Sequence, residues 1–153
     1  MQKSKLTKFI EKYNLGGSVN SVKVVSKDNT LSTTFVTEDK SLMGNVKLSN
    51  YSFEDCKLGV YQTDQLQKLL GVLNDDVNLN LTKVDDKAIS LKIKDDLISV
   101  DYQLSDLSVI GTPPTLQRLP EFQTKIKINK HFIDTFIRGK SALETNSFTI
   151  VNN

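Results

Sequence analysis

Cysteine, proline and long apolar runs are scarce in this chain of 153 residues, and each scarcity excludes a class of protein. The single cysteine, Cys56, excludes an internal disulfide and offers no metal-binding framework, as is usual in a reducing compartment. No run of residues is apolar enough to cross a membrane. The N-terminal residues mix lysines with apolar side chains and lack the continuous apolar core of a signal peptide, so we expect a cytoplasmic protein.

An excess of charge of one sign is also lacking. The net charge is only +2, with 25% charged and 38% hydrophobic residues, which is typical of a soluble globular chain with one ordinary domain or two small ones. Composition alone therefore does not indicate a nucleic-acid partner. Any role for positive charge must come from where the basic residues lie.

Three Asp-Asp pairs at an even spacing are the most conspicuous local pattern: Asp75–Asp76, Asp85–Asp86 and Asp95–Asp96. The residues between them alternate apolar and polar, which predicts half-buried strands with the pairs in the turns. Successive turns of an antiparallel meander lie at opposite ends of its strands, so the three pairs cannot share one ion. The spacing also lacks the ligand pattern of a calcium loop.

Periodicity elsewhere predicts three short helices. The first covers about residues 5–14 and ends at a left-handed glycine cap in residues 15–17; the second follows Thr63 as N-cap; the third follows Asn129 and continues up to Gly139. A further turn is predicted at residues 27–29. The predicted strands are residues 19–26, 30–37, 42–48, 57–61, 77–83, 87–93, 97–104, 123–128 and 147–151.

This order repeats a unit of helix, three strands and a further strand, with little sequence identity between the copies. Residues 111–122, GTPPTLQRLPEF, contain all three prolines and predict an extended linker. The predicted organisation is a first domain at 1–110, the linker at 111–122 and a second domain at 123–153. One helix between two strands cannot bury its apolar face, so we expect that the chain is truncated or that something else covers its end.

Basic residues lie on the solvent faces of the predicted helices, a placement that suits a phosphate backbone. The candidates for DNA contact are Lys5, Lys8, Lys12, Lys68, Lys130, Arg138 and Lys140. Ordinary solubility is the alternative explanation, and Asp134 is placed to form a local ion pair with Arg138. No aromatic residues are interleaved with the basic ones, so DNA would be held without base reading.

Two other classes of function stay open at this stage. His131 and Asp134 could be drawn as part of a catalytic triad, but no nucleophile elbow accompanies them and an exposed helical histidine is the simpler interpretation. Lys57 is the one basic neighbour in the sequence that could activate Cys56. A role for Cys56 as a small residue at the start of a strand is therefore favoured over a role as a nucleophile. The other alternative is a small β-rich protein-interaction module without DNA binding.

Three stretches resemble the sliding clamps of T-even-type bacteriophages. They are KLTKFIEKYNLGGSV, similar to the first helix and turn of that family; VYQTDQLQKLLGVLNDDVNL, similar to a strand, helix and strand of its first domain; and FQTKIKINKHFIDTFIRGKSALETNSFTIV, similar to the start of its second domain. The resemblance covers nearly the whole chain in order. It consists of apolar and turn residues without a catalytic signature.

The resemblance implies an α+β DNA-clamp fold with helices on one face of antiparallel sheets, and a trimeric ring that encircles duplex DNA. Such a ring tethers the replicative DNA polymerase, is opened by an ATP-driven clamp loader, and can engage late transcription proteins in the cytoplasm of the infected bacterial host. It needs no cofactor and no catalysis. The first three lysines above would line the hole, with the other basic residues behind them.

The resemblance also implies a chain that is incomplete at its C-terminus, which leaves ring closure open. By analogy, the polymerase would bind near the linker at Ile110, Pro113 and Leu116, although anchoring of the linker is the alternative role for these residues.

Overall fold

The computed structural model describes residues 2–115, 118, 121–122, 124–143, 147–149 and 151. The chain forms two compact units, Met1–Pro114 and Thr115–Asn153. The first contains two helices and seven strands, and the second contains one helix among its described residues.

The first unit begins with a helix, continues through four strands to a second helix, and ends with three strands. Its elements are α1 (Lys3–Asn14), β1 (Val22–Lys27), β2 (Thr30–Val36), β3 (Met43–Ser49), β4 (Cys56–Val60), α2 (Thr63–Gly71), β5 (Asn78–Val84), β6 (Lys87–Lys94) and β7 (Ser99–Gln103). The strands form two sheets, in the orders β3-β2-β1-β4 and β5-β6-β7. Every pairing is antiparallel. The α+β class and the meander predicted from the aspartate pairs are thus confirmed.

The first seven predicted strands are found within three residues of their expected bounds. Two hairpins turn on residue pairs with positive φ, Asp28–Asn29 and Asp85–Asp86, as the turn chemistry predicted. The two strands predicted at 123–128 and 147–151 are wrong for every one of their described residues. Alternation is not sufficient for a strand, because a strand also needs a hydrogen-bonded neighbour.

Helix α1 buries one face and exposes the other, as its periodicity predicted. Leu6, Phe9, Ile10 and Tyr13 are all buried. The left-handed cap does not begin at glycine, however: Leu15 already has φ 51° and ψ 44°. Two glycines with positive φ follow it, so the chain leaves the helix through three consecutive left-handed residues.

Helix α2 has a cap that differs from the predicted one. Thr63 is the first helical residue and is fully buried, and its hydroxyl donates to the backbone carbonyl of Asn20. The side-chain oxygen of Asn20 accepts from the backbone N–H of Asp64 at 3.0 Å. The cap is therefore supplied by a residue more than forty positions away in the sequence.

The two helices pack side by side in opposite directions. Next to the residues that follow α2, the backbone N–H of Lys3 donates to the carbonyl of Asp75 at 2.7 Å. At the other end, the hydroxyls of Tyr13 and Thr63 share a hydrogen bond of 3.3 Å. The buried leucines of α2 (Leu66 and Leu70) and Leu73 just beyond it join the apolar face of α1 and the inner faces of both sheets in one hydrophobic core.

A close backbone contact links the segment after β7 to strand β4. The N–H of Ser105 donates to the carbonyl of Gly59 at 2.9 Å. A Cβ atom at Gly59 would lie 2.1 Å from the carbonyl oxygen of Ser105 and 3.2 Å from Cδ1 of Ile110. Only glycine allows the two backbones to approach this closely.

The second unit contains helix α3 (Lys130–Leu143). The helix follows Asn129, as predicted, and Asn129 caps it, because its side-chain oxygen accepts from the N–H of Phe132 at 2.8 Å. The helix does not end at Gly139, since glycine weakens a helix without necessarily terminating it. None of its described residues is buried, although Phe136 packs against Phe148 with ring centroids 4.6 Å apart. No helix among the described residues is long and apolar enough to span a membrane.

Candidate nucleic-acid interface

A row of three lysines lies on the exposed side of α1. Lys5, Lys8 and Lys12 are separated by three and four residues, which places them along one flank of the helix. All three side chains are exposed, and none lies on the buried face. We call these three residues the lysine row.

The lysine row is not neutralised by neighbouring carboxylates. The ion pairs found among the described residues join Lys83 to Glu54 and Lys87 to Asp106, away from both helices. Lys3 is also occupied, because its ammonium group donates to the carbonyl of Leu73. The lysine row therefore presents three positive charges to solvent.

Lys68, also predicted to face DNA, lies on the neighbouring helix α2. It is exposed and contributes to a shallow groove of about 550 Å³ between α1 and α2, which we call the helix groove. The groove is lined by Glu11, Asn14, Gly16, Gly17, Asp64, Gln67 and Lys68. Packing of the two helices thus brings Lys68 into one groove with two carboxylates, Glu11 and Asp64.

Asn14 holds the wall of the helix groove in place. Its side-chain nitrogen donates to the carbonyl of Val19 at 3.0 Å and to Asp64 Oδ1 at 3.4 Å, and its oxygen accepts from the N–H of Gly17 at 2.8 Å. Sequence reasoning missed Asp64 as part of this surface. No local signal could have revealed it, because its position depends on how α2 docks against α1.

The remaining predicted basic residues, Lys130, Arg138 and Lys140, are exposed on α3 in the second unit. The ion pair predicted between Asp134 and Arg138 is wrong. Arg138 Nε instead donates to the backbone carbonyl of Asp134 at 3.3 Å, so the guanidinium is hydrogen-bonded to the backbone of its own helix.

The aspartate pairs lie in or beside turns, as predicted, and two of their members also accept hydrogen bonds from other segments. Asp75 accepts from the backbone N–H of Ser4 at 2.8 Å and so caps the start of α1. Asp95 accepts from the backbone N–H of Asn74 at 2.7 Å, which places the first and third pairs at the same end of the meander. Among the described residues, no group of three or more His, Cys, Asp or Glu could hold a metal ion.

Cys56 and His131 are the residues predicted as alternatives for nucleophilic or acid-base chemistry. Cys56 is half-buried at the start of β4, and burial, with a smaller contribution from the charge of Glu54, raises the pKa of its thiol to about 11. A thiol with so high a pKa is protonated at neutral pH and is a poor nucleophile. His131 lies exposed on α3.

The residues predicted near the linker differ in exposure. Ile110 is only 3% exposed and packs beside Gly59, which supports an anchoring role. Pro113 is half-buried. Leu116 lies outside the described residues.

Comparisons with known proteins find matches in structure but not in sequence. No protein-family model matches the sequence, and no curated protein matches it significantly. A DNA polymerase sliding clamp from Pseudomonas aeruginosa, solved with a ligand, matches with a TM-score of 0.55 and 15% identity over 74% of this chain and 31% of that chain. The DNA polymerase III subunit beta of the same organism matches with a TM-score of 0.52 and 19% identity, again over 74% and 31%.

A third match is a DnaN sliding clamp from Pseudomonas aeruginosa bound to griselimycin, with a TM-score of 0.53 and 17% identity over 78% of this chain and 32% of that chain. The chain therefore spans about a third of the length of the clamps it matches. At sequence identities this low, the structural similarity shows the fold alone. The chain has the α+β fold of the DNA polymerase sliding clamps, as its sequence predicted.

Proposed function

We propose that this chain is part of a sliding clamp, which encircles duplex DNA and tethers the replicative DNA polymerase without catalysis of its own. The observation that carries the proposal is the lysine row. It lies exposed, and without ion pairs to described residues, on a helix of a fold found in DNA polymerase sliding clamps.

Such a surface suits a partner that must be held and yet move. Lysines are compact point charges that attract phosphates without fixing their direction, and phosphate contacts carry no sequence information. The attraction is screened by salt, so a ring lined in this way can stay centred on DNA while sliding along it.

The finer parts of the proposal come from the resemblance to T-even-type bacteriophage clamps. They are a trimeric ring, an ATP-driven loader, late transcription proteins as further partners, and the cytoplasm of an infected bacterium as the location. Lys68, Lys130, Arg138 and Lys140 would support the lysine row, and polymerase would bind near Ile110, Pro113 and Leu116. The linker at 111–122 would separate a first clamp domain from the start of a second.

The proposal is tested by neutralising the lysine row with the triple substitution Lys5→Gln, Lys8→Gln and Lys12→Gln. Binding to a fluorescein-labelled duplex of about 30 base pairs is measured by anisotropy over a salt series. Each lost phosphate contact reduces the slope of log K against log salt by about 0.9, so loss of all three reduces it by about 2 to 3. We expect at least about a tenfold loss of affinity at 50 mM salt.

A matched control removes the same charge from the opposite side of the sheets. Lys47, Lys92 and Lys94 are exposed and alternate with residues that pack into the core, so their side chains point away from the helices. Their triple glutamine variant should bind DNA as the parent does. Equal loss in both variants would show that only net charge matters, and no DNA binding by the parent at low salt would favour the protein-interaction module instead.

A further inference from the structure

The helix groove contains two carboxylates that the clamp function does not require. Glu11 and Asp64 line it together with Lys68, and both side chains are exposed. Acidic groups beside a surface that attracts phosphates weaken that attraction, so their presence there needs a physical reason. The inference that follows rests on the proposed function.

The position of Glu11 on α1 separates the lysine row from α2. Asn14 marks the side of α1 that faces α2, because its side chain reaches Asp64. At 100° per residue, Glu11 lies about 60° from Asn14, whereas Lys12 lies about 160° from it. The lysine row therefore follows the flank of α1 away from α2, and Glu11 lies on the groove side.

Asp64 supplies the second carboxylate from the opposite wall. It belongs to the first turn of α2, where its backbone N–H is bonded to Asn20 and its Oδ1 is within 3.4 Å of Asn14 Nδ2. These contacts hold the carboxylate at the mouth of the groove. A phosphate that approached Lys68 through the groove would meet Glu11 on one side and Asp64 on the other.

We propose that Glu11 and Asp64 are positioning residues that keep the DNA backbone out of the helix groove and confine it to the lysine row. They also weaken the attraction of Lys68 for phosphate, so Lys68 supports the lysine row less than its charge alone would allow. The result is a single phosphate track with weak binding, which favours movement along DNA over tight attachment.

Removal of one charge should tighten DNA binding. A unit charge about 7 Å from a phosphate changes affinity about threefold in water without salt, and screening at 50 mM salt reduces this to about twofold. We therefore expect Glu11→Gln to bind the labelled duplex about twofold more tightly at 50 mM salt. Asp101→Asn is the matched control, because Asp101 is exposed on β7 opposite Lys92, on the sheet face away from the helices. It changes the net charge equally and should leave affinity unchanged.

Coupling to Lys68 distinguishes positioning from a general gain of positive charge. In the parent, Lys68→Gln should reduce affinity by less than about twofold; in the Glu11→Gln, Asp64→Asn background it should reduce affinity by about threefold or more. Asparagine at position 64 keeps an oxygen that can accept from Asn14, so the helix contact is preserved. Equal effects of Lys68→Gln in both backgrounds would overturn the inference.

The outcome for the lysine row separates this inference from the proposed function. If the lysine-row variant loses DNA binding and the carboxylate variants change nothing, the clamp surface stands and the positioning role fails. If the lysine-row variant binds as the parent does, the proposed surface itself fails, and the carboxylate proposal fails with it.

Discussion

Gly59 is the position at which one added carbon atom should disrupt the first unit most clearly. A Cβ in Gly59→Ala would lie 2.1 Å from the carbonyl oxygen of Ser105, whereas real Cβ atoms essentially never approach within 3.0 Å. The Ser105 backbone must therefore retreat by about 1 Å. It cannot do so freely, because its own N–H donates to the Gly59 carbonyl at 2.9 Å.

The cost can be estimated from these two effects. Overpacking costs about 1 to 3 kcal/mol, and a weakened backbone hydrogen bond costs about 1 kcal/mol more. Replacing glycine also reduces the conformational freedom of the unfolded chain, and the resulting gain in stability of about 0.4 to 1 kcal/mol partly offsets these costs. We expect Gly59→Ala to lower the free energy of unfolding by about 1 to 4 kcal/mol, a large share of the total for a small domain.

Gly71→Ala is the matched control for this experiment. Gly71 is the last residue of α2, and a Cβ there would meet no atom within 4 Å. This variant should be as stable as the parent or more stable by up to about 1 kcal/mol. Urea unfolding followed by circular dichroism measures both variants, and a Gly59→Ala midpoint equal to that of Gly71→Ala would refute the argument from close approach.

Two further predictions concern titratable groups. The backbone N–H groups of Asn74, Ile98 and Leu97 lower the pKa of Asp95 from its ordinary value of 3.8. Its stabilising effect is therefore present above the ordinary pKa and is lost as the pH falls through the lowered pKa. The stability difference between the parent and Asp95→Asn should shrink as the pH falls below about 4, and a constant difference would contradict this. Because burial raises the pKa of Cys56 to about 11, alkylation by iodoacetamide should be slow at pH 8 and rise only above about pH 10. A rate at pH 8 equal to that of free glutathione would contradict this second prediction.

The strands and turns of the first unit were predictable because their causes are local. Alternation of apolar and polar residues set which positions of β5 and β6 face the core, and residue pairs such as Asp85–Asp86 adopt positive φ because short polar side chains tolerate it. The same reasoning failed at 123–128. There the alternation is present, but residues 124–128 form no strand with any other described residue.

The sequence was sufficient to predict which residues form most of the candidate site, but not which other residues they contact. The spacing of Lys5, Lys8 and Lys12 is enough to place them on one flank of a helix, because helical geometry relates residues three and four apart. Whether a nearby carboxylate neutralises them is a question of tertiary contact. The predicted pair between Asp134 and Arg138 shows that spacing alone does not answer it, since the guanidinium bonds to the backbone instead.

The sequence by itself determined the periodic elements, their turns and the exposure of the lysine row, because each depends on residues within one or two helical turns. Only the tertiary structure decided that Asn20 caps α2, that Gly59 lies against Ser105, and that Asp64 joins Glu11 in the helix groove. Those contacts join residues that lie about 40 to 50 positions apart, and they form only when the shared core brings their elements together.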